Sequence, residues 1–416
     1  MKKSEKLLRA LLIKGDSILN YTDEVKKIRE SIKKEEELEY FVNFVRGIVQ
    51  KEARVAEKNN PTKRSIIALA TGSGKSKIAV DCIRDNHSSI EDTYHIFVPT
   101  EKLRDENWKE EFSNWGQLET FQKYVETYCY ASASKVFSPS TVNYAILDEG
   151  HNITELSAKY FTNNVVDRAV LLTATVPKSE EKKRILEELD FKVVYELSLD
   201  DAVKLGFVAP YKITVVTVPL NKVDKNFKAG SAKKPFMTTE FANMEYLNEL
   251  YEHTPIGKRF RIALTRMRAI HNLPSKREAA KFILDNVIPK EDRTLIFASN
   301  IEQANYLCEN TFHSKVASKD YDAFKAGEIN RLSCVLAVNE GQNFPNLNSG
   351  LIVQLNSNDK DLIQRIGRLV RFRVGHEASP YVVVAENTQD MVWLRLATEG
   401  IDASNIEYIS LQELKK

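Results

Sequence analysis

The chain is poor in several things that would have named a function class early. It has four cysteines in 416 residues, Cys82, Cys129, Cys308 and Cys334, and no two of them form a C-x-x-C pair. That spacing supports neither a thiolate metal site nor a redox motif, and predicts buried free thiols. No apolar run approaches the roughly 18–20 residues that a membrane helix needs. The opening Met1-Lys2-Lys3 is basic, but Leu7 to Ile13 is broken by Arg9 and followed by Lys14. A clean secretory h-region and a small-residue cleavage site are both missing, so the expected setting is the cytoplasm, with no membrane partner. Net charge is only +2, from 60 Lys/Arg against 58 Asp/Glu, so any basic footprint must be local. There is no 20–50-residue repeat and no low-complexity tract.

What is present fits two or three globular domains: 43% of residues are hydrophobic and 28% charged. Residues 1–60 are charge-rich with a helical pattern, and the run Lys33-Lys34-Glu35-Glu36-Glu37 reads as a solvated helix face. Asn59-Asn60-Pro61 breaks that pattern. From 62 to about 205, apolar runs alternate with helical segments, with strand candidates at Ile66–Leu69, His95–Val98, Tyr144–Leu147 and Ala169–Leu172. Such alternation implies a parallel α/β sheet, whose strand ends line one ligand edge. A second series begins near Pro210 with Tyr211 to Val216. It resumes at Thr294–Phe297, Val335–Val338, Leu351–Leu355 and Tyr381–Val384, after a polar, basic and mostly helical stretch at 221–290. The expected division is a helical N-terminal segment at 1–60, a first α/β domain at 61–207, and a second at 208–416 carrying that insertion.

The sharpest local signal is Ala70-Thr71-Gly72-Ser73-Gly74-Lys75-Ser76. It follows the apolar run Ser65 to Leu69 and precedes the helical segment Lys77 to Ile83. Strand, glycine-rich turn and helix together form the context of a phosphate-binding P-loop. Small residues let backbone N–H groups close on phosphate oxygens, Lys75 can reach the β- and γ-phosphates, and the Ser76 hydroxyl can ligate Mg²⁺. The strict pattern has Gly where this chain has Leu69. Seventy-three residues beyond Lys75, Asp148-Glu149-Gly150-His151 follows the strand candidate Tyr144–Leu147. A carboxylate there can hold Mg²⁺ through water, and the next one can orient or deprotonate an attacking water. Thr173-Ala174-Thr175 stands at another strand end. In Gln364-Arg365-Ile366-Gly367-Arg368-Leu369-Val370-Arg371, arginines recur every three residues, roughly one helix face. Guanidinium groups facing a γ-phosphate stabilise transition-state charge. Two α/β domains bearing these sets imply an ATP cleft between them.

In this order the motifs resemble a superfamily 2 helicase with two RecA-like domains, over about residues 45–395. Residues 70–76 match motif I, Val98-Pro99-Thr100 with Leu103 matches Ia, 148–151 match II, 173–175 match III and Leu295 to Ser299 match IV. His313-Ser314-Lys315 resembles the next landmark, Asn339 to Leu347 match V, and 364–371 match VI. The resemblance implies ATP and Mg²⁺ as cofactors, bound by Thr71, Gly72, Ser73, Gly74, Lys75, Ser76, Gln364 and Arg365. Ser76 and Asp148 would serve the metal, and Glu149 would be the catalytic base. Arg368 and Arg371 would be arginine fingers, with Arg365 supporting the γ-phosphate side. His151, Thr173, Thr175 and Gly341 would couple nucleotide to motion, with Gln364 sharing in this. Pro99, Thr100, Ser299 and Asn300 would touch a nucleic-acid backbone. The style of motifs V and VI is closer to DNA-acting members than to the DEAD-box RNA group, with phage UvsW-type and restriction-system motors nearest.

That makes nucleic acid the partner, DNA ahead of RNA, for a helicase or translocase remodelling forks, junctions or R-loops. A phage-encoded chain would work in the host cytoplasm. Alternatives are the motor subunit of a restriction or defence complex, an RNA helicase, and a P-loop ATPase that does not act on nucleic acid. Residues 1–60 would be either a dock for a protein partner or a brace for the first domain. Three departures stand out. Motif II has Gly150 where Ala is usual, a change expected to be tolerated. Motif V has Asn343 where Asp is common. The adenine-reading glutamine has no clear counterpart, although Gln50 lies at about the right distance; a surface glutamine on a helix is the commoner case. Lys258-Arg259-Phe260-Arg261 and Arg266-Met267-Arg268 read either as a nucleic-acid contact or as a solvated helix face.

Overall fold

The computed structural model describes residues 3–12, 16–70, 72–101, 103–177, 179–231, 233–316, 318–335, 347–355, 366, 378–399 and 401–416. The chain divides into two compact units, Met1–Val208 and Ala209–Lys416.

The first unit opens with three helices, α1 (Lys3–Leu11), α2 (Thr22–Glu30) and the 24-residue α3 (Glu35–Lys58). Three glutamates in the first turn of α3 complement the helix dipole, and Phe41, Val42, Val45, Val49 and Ala53 form its buried stripe. A six-stranded sheet follows: β1 (Arg64–Leu69), β2 (Tyr94–Val98), β3 (Val125–Cys129), β4 (Val142–Leu147), β5 (Val166–Thr173) and β6 (Lys192–Leu197). Its order is β3-β2-β4-β5-β1-β6 and every pair is parallel. The central strands are buried almost end to end, as a sheet covered on both faces requires. One face packs Ile66, Phe97, Ala145, Leu147, Ala169 and Leu171 against Tyr130, Ile153 and Tyr160.

The N-terminal helices are locked to this sheet by polar contacts as well as apolar ones. Glu57 pairs with Arg168 of β5 at 3.0 Å, the Tyr195 hydroxyl of β6 donates to Glu52 at 2.8 Å, and Arg29 Nη1 donates to the Val203 carbonyl at 2.5 Å. They therefore form a brace for the first sheet.

The second unit holds a seven-stranded parallel sheet of order β11-β12-β10-β13-β14-β7-β15. Its strands are β7 (Ile213–Val218), β10 (Thr294–Phe297), β11 (Thr311–Phe312), β12 (Arg331–Cys334), β13 (Ser349–Ile352), β14 (Ser379–Ala385) and β15 (Ile406–Ser410). The two sheets give the tandem RecA-like α/β architecture that the motif order implies. A two-stranded antiparallel hairpin, β8 (Phe227–Ser231) and β9 (Lys234–Thr238), stands apart from the sheet and leads into the helices Glu240–His253 and Arg259–His271.

Several expectations need correction. The 221–290 stretch is mostly helical as expected, over Glu240–His253, Arg259–His271 and Pro274–Asn286, but it also holds the hairpin β8–β9, which was not expected. Of the strand expected at Val335–Val338, residues 336–338 lie outside the described residues; the strand Arg331–Cys334 directly precedes it. The strand expected at Leu351–Leu355 begins and ends earlier, at Ser349–Ile352. The four cysteines are thiols outside any disulfide, as expected, with Cys82, Cys129 and Cys334 buried and Cys308 half-buried. Burial pushes the Cys82 thiol up to about 12, which leaves it inert.

The most demanding element of the second unit is a buried ion pair. Lys276 Nζ lies 2.5 Å from Asp390 Oδ2, both side chains are fully buried, and the same carboxylate oxygen accepts from the Ala385 amide at 3.1 Å. This pair ties the helix Pro274–Asn286 to the end of β14 and the start of the helix Gln389–Ala397. Lys276→Met leaves Asp390 charged in an apolar setting and is expected to cost about 3–5 kcal/mol. Urea denaturation of the variant checks this.

Candidate nucleotide site of the first unit

β1 and β4 both flank β5, with Ala68 opposite Thr173 and Leu147 opposite Leu171. The turns leaving these three parallel strands therefore emerge side by side on one edge. β2 lies next to β4, so Pro99 and Thr100 reach the same edge. Motifs I, Ia, II and III are thus gathered by topology alone.

The turn after β1 is built to face an anion. Gly72 and Gly74 both have φ of +85°, a region closed to side-chain-bearing residues without strain. A Cβ on Gly72 would come within 3.1 Å of the Phe207 carbonyl, and one on Gly74 would overlap the Gln50 amide. The Ser73 hydroxyl is buried and has no hydrogen-bond partner among the described residues. These features fit a bound phosphate group. Lys75 opens α4 (Lys75–Asn86), and its ammonium donates to the Leu69 carbonyl at 3.2 Å. Thr71 lies outside the described residues.

Gln50 is not a surface residue. Only 7% exposed on α3, it donates from Nε2 to the Ser73 carbonyl at 3.1 Å. It thus joins the N-terminal brace to the P-loop itself. Glu111, on α5 (Trp108–Asn114), went unread in the sequence because nothing in its spacing ties it to motif I. Its half-buried carboxyl lies near the Ser76 and Trp115 side chains, and burial raises its pKa above the usual carboxylate range.

At the end of β4, the Asp148 amide donates to the Phe97 carbonyl at 2.9 Å, and Asp148 Oδ1 accepts from the Glu149 amide at 3.0 Å. Glu149 sits at φ +45°, an unusual conformation for a non-glycine residue. Its Oε2 is buried, accepts no hydrogen bond among the described residues, and lies 3.4 Å from His151 Nδ1. Thr173 Oγ1 is 3.5 Å from the same nitrogen and donates its own proton to the Thr175 carbonyl at 2.9 Å. His151 Nδ1 thus faces both the Glu149 carboxylate and the Thr173 hydroxyl. Glu149, His151, Thr173 and Thr175 therefore form one contiguous chain of polar groups.

Gly150 is more than a tolerated departure. A Cβ there would overlap the Leu171 side chain of β5. Leu171 occupies the space that the usual alanine methyl needs, so glycine and leucine complement each other across the turn. Gly150→Ala is expected to cost about 1–3 kcal/mol through overpacking. Adding Leu171→Ala should recover part of that loss relative to Leu171→Ala alone; a thermal-melting double-mutant cycle reads the coupling.

In the second unit, Ser299 and Asn300 follow β10. The Ser299 hydroxyl donates to the His271 carbonyl at 3.0 Å, and Asn300 caps the next helix while donating to Asn272 at 2.7 Å. Gly341, Gln364, Arg365, Arg368 and Arg371 lie outside the described residues. Among the described residues there is no metal-binding cluster of three or more His, Cys, Asp or Glu side chains. No described helix is long and apolar enough to cross a membrane.

Two family models match separate parts of the chain. The family described as Type III restriction enzyme, res subunit, matches residues 22–132, and the helicase conserved C-terminal domain matches residues 276–373. No curated protein matches. Among solved structures, the ATP-dependent Type ISP restriction-modification enzyme LlaBIII bound to DNA is similar, with a TM-score of 0.56 and 12% identity. That likeness covers 87% of this chain and 31% of the enzyme, so the chain spans about a third of its length. Dbp5 of S. cerevisiae bound to RNA and ADP BeF3 has a TM-score of 0.53 and 12% identity, covering 88% of this chain and 90% of Dbp5. At such identities the likeness establishes the fold.

Proposed function

The chain belongs to the superfamily 2 helicases, ATP-dependent enzymes that act on nucleic acid, and on that premise we propose that it is a DNA translocase remodelling forks, junctions or R-loops. The observation that carries an NTP-driven reading is the P-loop: two left-handed glycines, an orphaned buried serine hydroxyl and a lysine at a helix start, beside a strand-end Asp-Glu pair. In this reading backbone amides of 72–76 and Lys75 hold the triphosphate. Ser76 and Asp148 would hold Mg²⁺, which would supply charge neutralisation across the phosphates. Glu149 takes the proton of the attacking water, and its neighbour His151 passes the change in charge to Thr173 and Thr175. Arg365, Arg368, Arg371, Gln364, Thr71 and Gly341 complete the proposed set from the sequence. Pro99, Thr100, Ser299 and Asn300 are the proposed backbone contacts. DNA is preferred to RNA because the restriction-subunit family matches the first unit.

The same match favours a second reading, in which the chain is the motor subunit of a restriction or defence complex. Its translocation would then serve a nuclease on another protein, and its ATPase would require that protein.

Steady-state ATP hydrolysis with Mg²⁺, measured without nucleic acid and with single-stranded, duplex and forked DNA and with RNA at fixed salt, tests both. Strong stimulation by one DNA structure is expected. Preference for RNA would overturn the DNA assignment, and indifference to all of them would favour the partner-dependent motor. Lys75→Ala should lose tight ATP binding. Glu149→Gln should bind ATP and DNA yet hydrolyse at least ~10²-fold more slowly; normal turnover in that variant removes Glu149 from the role of base.

A further inference from the structure

Residues 221–270 hold ten Lys/Arg against five Asp/Glu, a net +5 in a chain whose total is +2. They also expose Val223, Phe236, Met237, Tyr246, Ile256 and Phe260, each more than half exposed. The hairpin β8–β9 and the helices Glu240–His253 and Arg259–His271 enclose one side of a groove of about 890 Å³. Its far side is the turn after β10, including Asn300.

The groove combines aromatic rings with cations. Gly230, at φ +88°, leaves room for the Phe236 ring, whose Cδ1 would lie 3.1 Å from a Cβ there; Phe236 is nonetheless 59% exposed. Tyr246 presents its ring from the helix Glu240–His253 and is 60% exposed. Lys228 and Arg268 are exposed in the lining and form no ion pair among the described residues. The one carboxylate in the lining, Glu302, lies 3.8 Å from Arg277. Exposed ring faces favour bases whose own faces are free, and unpaired cations favour phosphates. A duplex hides its base faces in the stack.

We propose that this groove is a second binding site for single-stranded DNA, gripping bases on Phe236 and Tyr246 and phosphates on Lys228 and Arg268, and continuous with the Asn300 turn. The inference rests on the helicase reading, and it assigns to the hairpin insertion the task of holding an unpaired strand.

The test is fluorescence anisotropy of a labelled oligo-dT on the full-length chain, across a salt series. Phe236→Ala/Tyr246→Ala should weaken binding at least about tenfold without changing the salt slope. Lys228→Ala/Arg268→Ala should weaken binding and reduce the slope of log K against log salt by about 1.4, the loss of two phosphate contacts. All four side chains are exposed, and unchanged thermal melting and ATP affinity confirm that each variant folds. If only the charge pair matters, the groove holds duplex backbone and the single-strand assignment fails. If wild-type ATPase is stimulated by DNA but both variants bind like wild type, the groove proposal fails alone and its apolar face is left to a protein partner. If the wild-type chain neither binds nor responds to nucleic acid, the helicase reading fails and takes this one with it.

Discussion

The first unit depends on a property of parallel sheets: every strand delivers its turn to the same edge. With β5 between β1 and β4, three short turns spread from residue 70 to residue 175 become neighbours. None of them could act alone. The P-loop has backbone donors but no base, the Asp-Glu turn has carboxylates but no anion cradle, and the Thr-Ala-Thr turn has only hydroxyls. Register converts three weak local signals into one site. The same constraint fixes the chemistry, because a slip of one residue in β4 against β5 would turn Asp148 away from the edge.

Tight turns at that edge need support from behind. The P-loop gets it from α3, where Gln50 holds the Ser73 carbonyl and fills the space above Gly74. Polar contacts from Glu57 and Glu52 then fix the helical brace to the sheet, and Arg29 ties it to the helix Leu199–Leu205 that follows β6. Motif II gets its support from Leu171, which fills the space left by Gly150. In both places a glycine and a larger neighbour share one volume. Such pairs permit backbone strain at Glu149 and the P-loop because packing over-determines the conformation.

The parallel sheets were readable because buried strands appear as apolar runs between helical periods. Ile66–Leu69, Tyr144–Leu147 and Thr294–Phe297 fall inside or on observed strands. Edge strands were not readable. β3, β6, β11 and β15 are short or half-exposed, so their sequences lack a continuous apolar run. The hairpin β8–β9 hid for a different reason: β9 is exposed along most of its length, Phe236 and Met237 included, so no alternation of apolar and polar residues marks it. Of the site, the residues fixed by turn chemistry were legible, whereas Gln50 and Glu111 were not. Gln50 offered only its distance from motif I, and Glu111, on a separate helix, offered no signal toward the P-loop at all. The complement of Gly150 and Leu171 was equally hidden, since it joins two positions 21 residues apart.

Charge places the two tasks of the chain in different regions. The near-neutral total conceals a stretch, residues 221–270, at +5, so the remaining residues sum to −3. An anion site made of backbone donors, as at 72–76, needs little net charge, because N–H groups and the helix start supply the field. A grip on a moving strand has the opposite need. It must hold many phosphates weakly and release them in turn, which favours scattered, solvated Lys and Arg side chains over a preorganised cradle. The proposed anion site of the first unit is therefore made of backbone turns neighboured by carboxylates, and residues 221–270 are basic, aromatic and exposed. A motor that binds one triphosphate tightly and a long polyanion loosely requires both, and composition averaged over the whole chain hides the difference.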